Sequence, residues 1–276
     1  MKIDELINVE GYSVIVTGGA SGIGLAYVEA MAENGASVTM LDVDAQGIER
    51  ETRRLSADGF DVRGAVVDVS DHQALDQAFA DAVQTHGKLD VVFANAGIDS
   101  GPGFYNNWAG PGQVRDPDGA LENYSDERWN RVIEVNLNGV FATLRAAALH
   151  MRPRKSGRII VTTSLAATIC ETAIGDAYMT AKAGAAHLMR NVALELAADN
   201  ITVNAIAPGF IVTNIGGGHA RNPEVQAALG KMVPIHRVGF PEDLKGLALF
   251  LASPASGYIT GQEIVIDGGR KLGEGV

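Results

Sequence analysis

Ser13-Val14-Ile15-Val16-Thr17-Gly18-Gly19-Ala20-Ser21-Gly22-Ile23-Gly24 decides the fold. A β-branched run of strand length ends in a Gly-rich turn. Ile23, Tyr27, Ala30 and Met31 then recur at helical spacing until Asn34-Gly35 stops the helix. Glycines let a backbone approach phosphate closely, and a helix N-terminus adds unpaired N–H groups and a partial positive charge. The spacing Gly18-x3-Gly22-x-Gly24 is not GxGxxG. Taken alone, the turn fits either a phosphate cradle or a tight strand-to-helix connection without a ligand.

Working outward, apolar runs at 13–16, 37–41, 63–67, 91–94, 158–162, 202–206 and 263–266 predict seven buried strands separated by helical patterns. Near-continuous hydrophobicity suits strands covered on both faces. The sustained alternation predicts an α/β fold of Rossmann type, with a doubly wound, seven-stranded parallel sheet and helices on both faces. No linker or repeat interrupts it, so residues 1–276 read as one dinucleotide-binding catalytic domain. Two segments break the rhythm. Residues 98–126 carry glycines at 101, 103, 110, 112 and 119 with Phe104, Tyr105 and Trp108 among them, and read as an insert loop. Residues 214–239 open on Gly216-Gly217-Gly218 and read as a substrate lid.

The formal net charge is -11 and no Lys/Arg cluster stands out, which argues against nucleic acid or an anionic membrane as partner. Cys170 is the single cysteine, so no intrachain disulfide forms; it reads as a semi-buried thiol. The first ten residues lack an apolar signal core and no run approaches spanning length, so a cytoplasmic protein is expected. The six histidines make no HExxH-type pair, and no metal site is expected.

Asp42 ends the second expected strand, where a carboxylate can accept hydrogen bonds from ribose hydroxyls and would repel a 2′-phosphate. No Arg or Lys lies between residues 37 and 46, so the expected cofactor is NAD. Asp44 is the better placed helix cap. Tyr178 and Lys182 stand at i and i+4 and share a helix face. A free tyrosine ionises near ~10, and lowering that by three units takes roughly 4 kcal/mol, which a close ammonium can supply. Ser164 follows the fifth strand at the end where α/β ligands gather, beside the hydroxyls of Thr162 and Thr163. Asn136 lies inside a helical stretch, where Asn is locally unfavourable.

From Ser13 to Gly269 the chain resembles the short-chain dehydrogenase/reductase family in its ordinary single-domain branch. The resemblance rests on TGGASGIG, Asp68-Val69, Asn95-Ala96-Gly97, Asn136, Ser164, Tyr178-x3-Lys182, Pro208-Gly209 and Ile266-Asp267-Gly268-Gly269, in that order. It implies Tyr178 as general acid/base, Lys182 as its pKa-lowering partner and nicotinamide-ribose ligand, and Ser164 on the substrate oxygen. It implies Asn136 as the holder of a water that links Lys182 to solvent. Gly18, Ser21, Gly22, Ile23 and Gly24 would hold the pyrophosphate. Asp68 and Val69 would lie against adenine, and Asn95, Ala96 and Gly97 beside the adenosine ribose. Pro208, Gly209, Ile211 and Thr213 would border the nicotinamide.

The expected activity is interconversion of a secondary alcohol and a ketone with NAD. Two other classes stay open: an NAD-binding scaffold or redox sensor without turnover, and an isomerase or dehydratase that retains NAD. Phe141, Leu144, Ala148, Ala185, Met189, Ala193 and Ala197 leave helix faces smooth and uncharged. Similar proteins pair these helices, so a homotetramer is expected, or a dimer built on the same helices.

Overall fold

In the computed structural model, residues 2–105 and 114–273 are described. Trp108, Gly110, Pro111 and Gly112 of the insert lie outside them, as does the side chain of His219. Seven strands form one sheet: β1 (Ser13–Thr17), β2 (Ser37–Asp42), β3 (Val62–Val66), β4 (Val91–Ala94), β5 (Gly157–Thr162), β6 (Ile201–Pro208) and β7 (Glu263–Ile266). All pair in parallel, in the order β3-β2-β1-β4-β5-β6-β7. The direction of winding reverses between β1 and β4, which opens a crevice at the C-terminal ends of those strands. The expected doubly wound sheet is therefore present. The inner strands are closed to solvent, but β3 and β7 are edges: Arg63, Gly64 and Val66 are exposed and β7 is half-buried throughout.

A short α1 (Ile3–Leu6) precedes the sheet. Helices α2 (Gly22–Ala32), α3 (Ala45–Ala57) and α9 (Glu242–Ala252) cover one face, with Tyr27, Met31, Ile48, Leu55 and Leu244 in its core. Asp44 caps α3, accepting the Gly47 N–H at 3.0 Å. The other face carries α4 (His72–His86), α5 (Asp126–Ile133), α6 (Gly139–Met151) and α7 (Asp176–Leu196), with Phe79, Leu144 and Met189 inside. A single π-helical turn, Glu134–Asn138, joins α5 to α6. Beyond β6, α8 (Pro223–Lys231) belongs to the 214–239 segment.

Asp126–Arg154 is a continuous 29-residue helical stretch, long and apolar enough by length and composition to cross a membrane. This corrects the expectation that no stretch reaches that length. Val135, Val140, Leu144 and Met151 pack in the core on this face of the sheet, so the helix is apolar because it is a core helix. Crowding against both sheet and neighbouring helix also explains a second correction. Leu144, Ala185, Met189 and Ala193, expected on exposed faces, lie in the protein's own core. Exposed apolar residues on α6 and α7 are instead Phe141 (46%), Leu149 (67%) and Leu194 (82%).

The described part of the insert is docked rather than loose. Gly103 and Tyr105 donate backbone N–H groups to Ala173 (3.2 Å) and Thr172 (3.1 Å), just ahead of α7. Arg128 binds three carbonyls of the insert: Asp118 at 2.7 Å, Pro102 at 2.6 Å, and Ser100. Its guanidinium stacks 4.1 Å from the Tyr124 ring centre.

Candidate active site

A cavity of about 450 Å³ opens along the C-terminal ends of β1, β4, β5 and β6. The Gly-rich turn forms one wall. Gly18 and Gly22 adopt φ of +65° and +52°, a region that favours glycine. A Cβ on Gly18 would lie 2.9 Å from the Ala96 Cα, and one on Gly24 would collide with the Gly18 carbonyl oxygen. Ser21, Ile23 and Gly24 line the cavity, and Ser21 does not spend its hydroxyl on capping α2. This cradle fits a pyrophosphate: small, closely packed, and aimed along a helix N-terminus.

Asn95 ties the cradle to the sheet. Its Nδ2 donates to the carbonyls of Thr17 (3.1 Å) and Gly18 (3.2 Å), its N–H to Thr17 Oγ1 (3.0 Å), and its Oδ1 accepts from Thr162 Oγ1 (3.1 Å). Asp42 lines the wall beyond the turn, and its carboxylate accepts N–H groups from Ala20 and Asp44, both at 3.0 Å. Asp68 and Val69 stand on the neighbouring side. Ser70 hydrogen bonds, with Arg131 nearby at 3.7 Å, hold the Asp68 carboxyl below its ordinary range.

Ser164, Tyr178 and Lys182 meet in this cavity with Ala96, Gly97, Pro208, Gly209, Ile211 and Thr213. Thr162 is bonded to Asn95, while the Thr163 hydroxyl contacts the Ile206 carbonyl and Glu263 Oε1 (2.8 Å). Ser164 Oγ accepts the Ala166 N–H at 3.2 Å and lies beside the Tyr178 phenol, whose pKa it lowers. Lys182 is buried and donates from Nζ to the Thr162 carbonyl at 2.8 Å, with Nζ 5.6 Å from the Tyr178 ring centre. Burial lowers its pKa to about 8. A Cβ on Gly97 would lie 3.2 Å from Asn136 Oδ1 and 3.4 Å from Lys182 Nζ, so this glycine keeps the space between them clear.

Two features bear on the expected roles of Tyr178 and Asn136. The phenol of Tyr178 is pushed up, not down: burial is the largest cause, the Ser164 hydrogen bond opposes it, and the Asp99 carboxylate adds to it. The Lys182 ammonium donates to a backbone carbonyl and so does not offset the cost of burying the phenolate. Asn136 does not line the cavity. Its amide is committed to Ile98, accepting the N–H at 2.8 Å and donating to the carbonyl at 2.9 Å. Its side chain therefore braces the chain leaving β4. Asp99 and Arg131 also line the cavity; no motif marks either. Cys170 is exposed rather than semi-buried, because the turn after Ser164 carries it outward.

The family model described as enoyl-(acyl carrier protein) reductase matches residues 18–271. The chain is 36% identical over 263 residues to the 3-oxoacyl-[acyl-carrier-protein] reductase FabG of Chlamydia pneumoniae, covering 95% of this chain and 98% of that protein. Two solved structures superpose closely. A 7α-hydroxysteroid dehydrogenase complexed with NADH and 7-oxo glycochenodeoxycholic acid has a TM-score of 0.84 at 30% identity, covering 98% of both chains. An NADPH-dependent 3-quinuclidinone reductase from Rhodotorula rubra has a TM-score of 0.85 at 32% identity, covering 98% of this chain and 95% of that one. With the Gly-rich turn, Asp68-Val69, Asn95-Ala96-Gly97, Ser164, Tyr178, Lys182 and Pro208-Gly209 gathered in one cavity at the switch point of a parallel sheet, the chain belongs to the short-chain dehydrogenase/reductase family of oxidoreductases.

Proposed function

We propose that the protein is an NAD-dependent dehydrogenase/reductase that interconverts a secondary alcohol and a ketone, with Tyr178 as general acid/base. The observation that carries this reading is the meeting of Ser164, Tyr178 and Lys182 in the cavity that the glycine cradle and Asp42 also line. When bound, the nicotinamide takes or gives the hydride. The chain supplies the rest. The Ser164 hydroxyl holds the substrate oxygen, and the Tyr178 hydroxyl takes the proton from the alcohol or returns it to the ketone oxygen. With a pKa of about 8, Lys182 is mostly charged at neutral pH, and its ammonium favours the phenolate that burial alone disfavours. The same ammonium binds the nicotinamide ribose.

At the other end, the N–H groups of the 18–24 turn hold the pyrophosphate, while Asp68 and Val69 flank adenine and residues 95–97 its ribose. Asp42 accepts the ribose hydroxyls, and the absence of Arg or Lys at 37–46 supports NAD over NADP. Pro208, Gly209, Ile211 and Thr213 border the nicotinamide, and residues 214–239 close over the substrate. The enzyme works in the cytoplasm as one catalytic domain per chain in a homotetramer, which would cover Phe141, Leu149 and Leu194.

The test is NADH formation from a panel of cyclic, aryl and steroid secondary alcohols, run in parallel with NADP. We expect NAD to exceed NADP by at least about tenfold in kcat/KM. Tyr178→Phe should lose about a hundredfold or more in kcat while still binding NADH. Near-wild-type turnover in that variant, or equal use of both cofactors, contradicts the reading. Light scattering at micromolar concentration tests assembly: a mass near the 28.9 kDa of one chain rules it out.

A further inference from the structure

The chain leaving β4 presents one carboxylate to the cavity, Asp99, and fixes it from both sides. Ahead of it, both backbone groups of Ile98 are held by Asn136, at 2.8 and 2.9 Å. Behind it, the Ser100 carbonyl accepts from Tyr124 (3.3 Å) and from Arg128, and the Ser100 hydroxyl donates to the Gly175 carbonyl at 3.3 Å. Gly175 is the N-cap of α7, the helix that carries Tyr178 and Lys182. The backbone on either side of Asp99 is thus held in place relative to the candidate catalytic residues.

The carboxylate itself is exposed and has no ion-pair partner among the described residues. A Cβ on Gly216 would sit 3.7 Å from Asp99 Oδ2, so the carboxylate lies beneath the opening of the 214–239 segment. The other charged residues lining the cavity are Asp42, Asp68, Arg131 and Lys182. Arg131 faces Asp68 at 3.7 Å and Lys182 donates to the Thr162 carbonyl, so neither cation answers Asp99. Its charge also raises the pKa of the neighbouring Tyr178, against the ionisation a base needs. A solvated surface acid needs no such bracing. A carboxylate braced beside the reacting end of the cavity, and left without a cation, suits a ligand that brings its own hydrogen-bond donor.

We propose that Asp99 selects the substrate, favouring a secondary alcohol or ketone that carries a hydrogen-bond donor, an ammonium above all, a few atoms from the reacting carbon, and disfavouring anionic substrates. This rests on the dehydrogenase reading above and sharpens its substrate class. A matched set separates the two: 4-aminocyclohexanol, cyclohexanol and 4-hydroxycyclohexanecarboxylate, assayed with NAD at pH 7.5.

In the wild type, kcat/KM should fall in that order, by about fivefold to tenfold across each step, the size of one partly solvated charge interaction. Asp99→Asn should collapse the ranking to within about twofold, and Asp99→Glu should restore it. In Asp99→Asn the rise of alcohol oxidation with pH should also begin at lower pH, because a negative charge beside the phenol is gone. Of the charged groups lining the cavity around Tyr178, only Lys182 then remains near it. NADH binding, read by fluorescence at the other end of the cavity, reports that each variant is folded. A ranking unchanged by Asp99→Asn, or a wild-type preference for the carboxylate, overturns the proposal while leaving the dehydrogenase reading in place. Failure of the wild type to oxidise any of the three counts against the dehydrogenase reading itself.

Discussion

Two glycine clusters border the cavity; both hold left-handed residues, but only the first is also closed in by its neighbours. In the turn after β1, neighbours forbid a side chain: a Cβ on Gly24 would strike the Gly18 oxygen, and one on Gly18 would press on Ala96. At Gly216 and Gly218 the surroundings are open, with nothing closer than 3.7 Å to an added Cβ. What requires glycine there is the backbone, with three successive φ values of +65°, +72° and +76°. The cofactor end is therefore fixed by packing. The substrate end is set by the chain's own torsions, which can change without disturbing a core.

Substitutions can break or sharpen this contrast. The largest effect is expected for Gly24→Ala, where the backbone itself must move. It should cost about 3 kcal/mol or more in thermal unfolding and abolish NADH binding. NADH affinity within threefold of wild type would mean that packing does not fix the turn. An intermediate effect is expected for Arg128→Ala, which releases the insert from its three carbonyl contacts. A loss of about 2 kcal/mol should accompany faster hydrogen exchange over 100–105 and 114–124 and a raised KM for the alcohol. NADH affinity should not change, since the anchor lies at the substrate end; a parallel loss would erase the distinction between the two ends.

Gly218→Ala should have the smallest effect, about 1 kcal/mol for one left-handed residue whose Cβ would meet nothing closer than the Arg221 Cδ at 3.7 Å. In the wild type, exchange over 214–239 should slow only when NAD and alcohol are both present, whereas the turn after β1 should respond to NAD alone. In Gly218→Ala the first response should weaken and the second persist. Equal responses in both segments would place closure elsewhere.

The contrast also explains what the sequence revealed. Inner parallel strands are buried on both faces, so runs such as Val14-Ile15-Val16 and Val91-Val92-Phe93 announce themselves as strands. The motif residues converged in space because strand ends, turns and helix starts gather at the switch point. Features set by long-range contact were silent. The π turn around Asn136 looks like ordinary helix, and it is the hold on Ile98 that singles it out. Glycines and prolines in the insert show where the chain bends, but not that Arg128 gathers its carbonyls. Asp99 has no motif at all; only the brackets on either side give it meaning. The small residues of α6 and α7 read as a smooth surface because a helix pattern does not reveal how many neighbours the helix touches.

The Asn95 side chain carries a consequence for how the molecule comes together. It bonds to Thr17 and Gly18 of the glycine turn, 78 and 77 positions earlier, and to Thr162, 67 positions later. The cradle is thus not a property of the first fifty residues, but a junction completed only once β1, β4 and β5 have found one another. Contacts this distant along the chain form late and slowly. A dinucleotide that recognises the finished junction would favour the assembled sheet by mass action. Refolding yield should accordingly depend on the ligand, which would act on the chain as a template for assembly before serving it as a reagent.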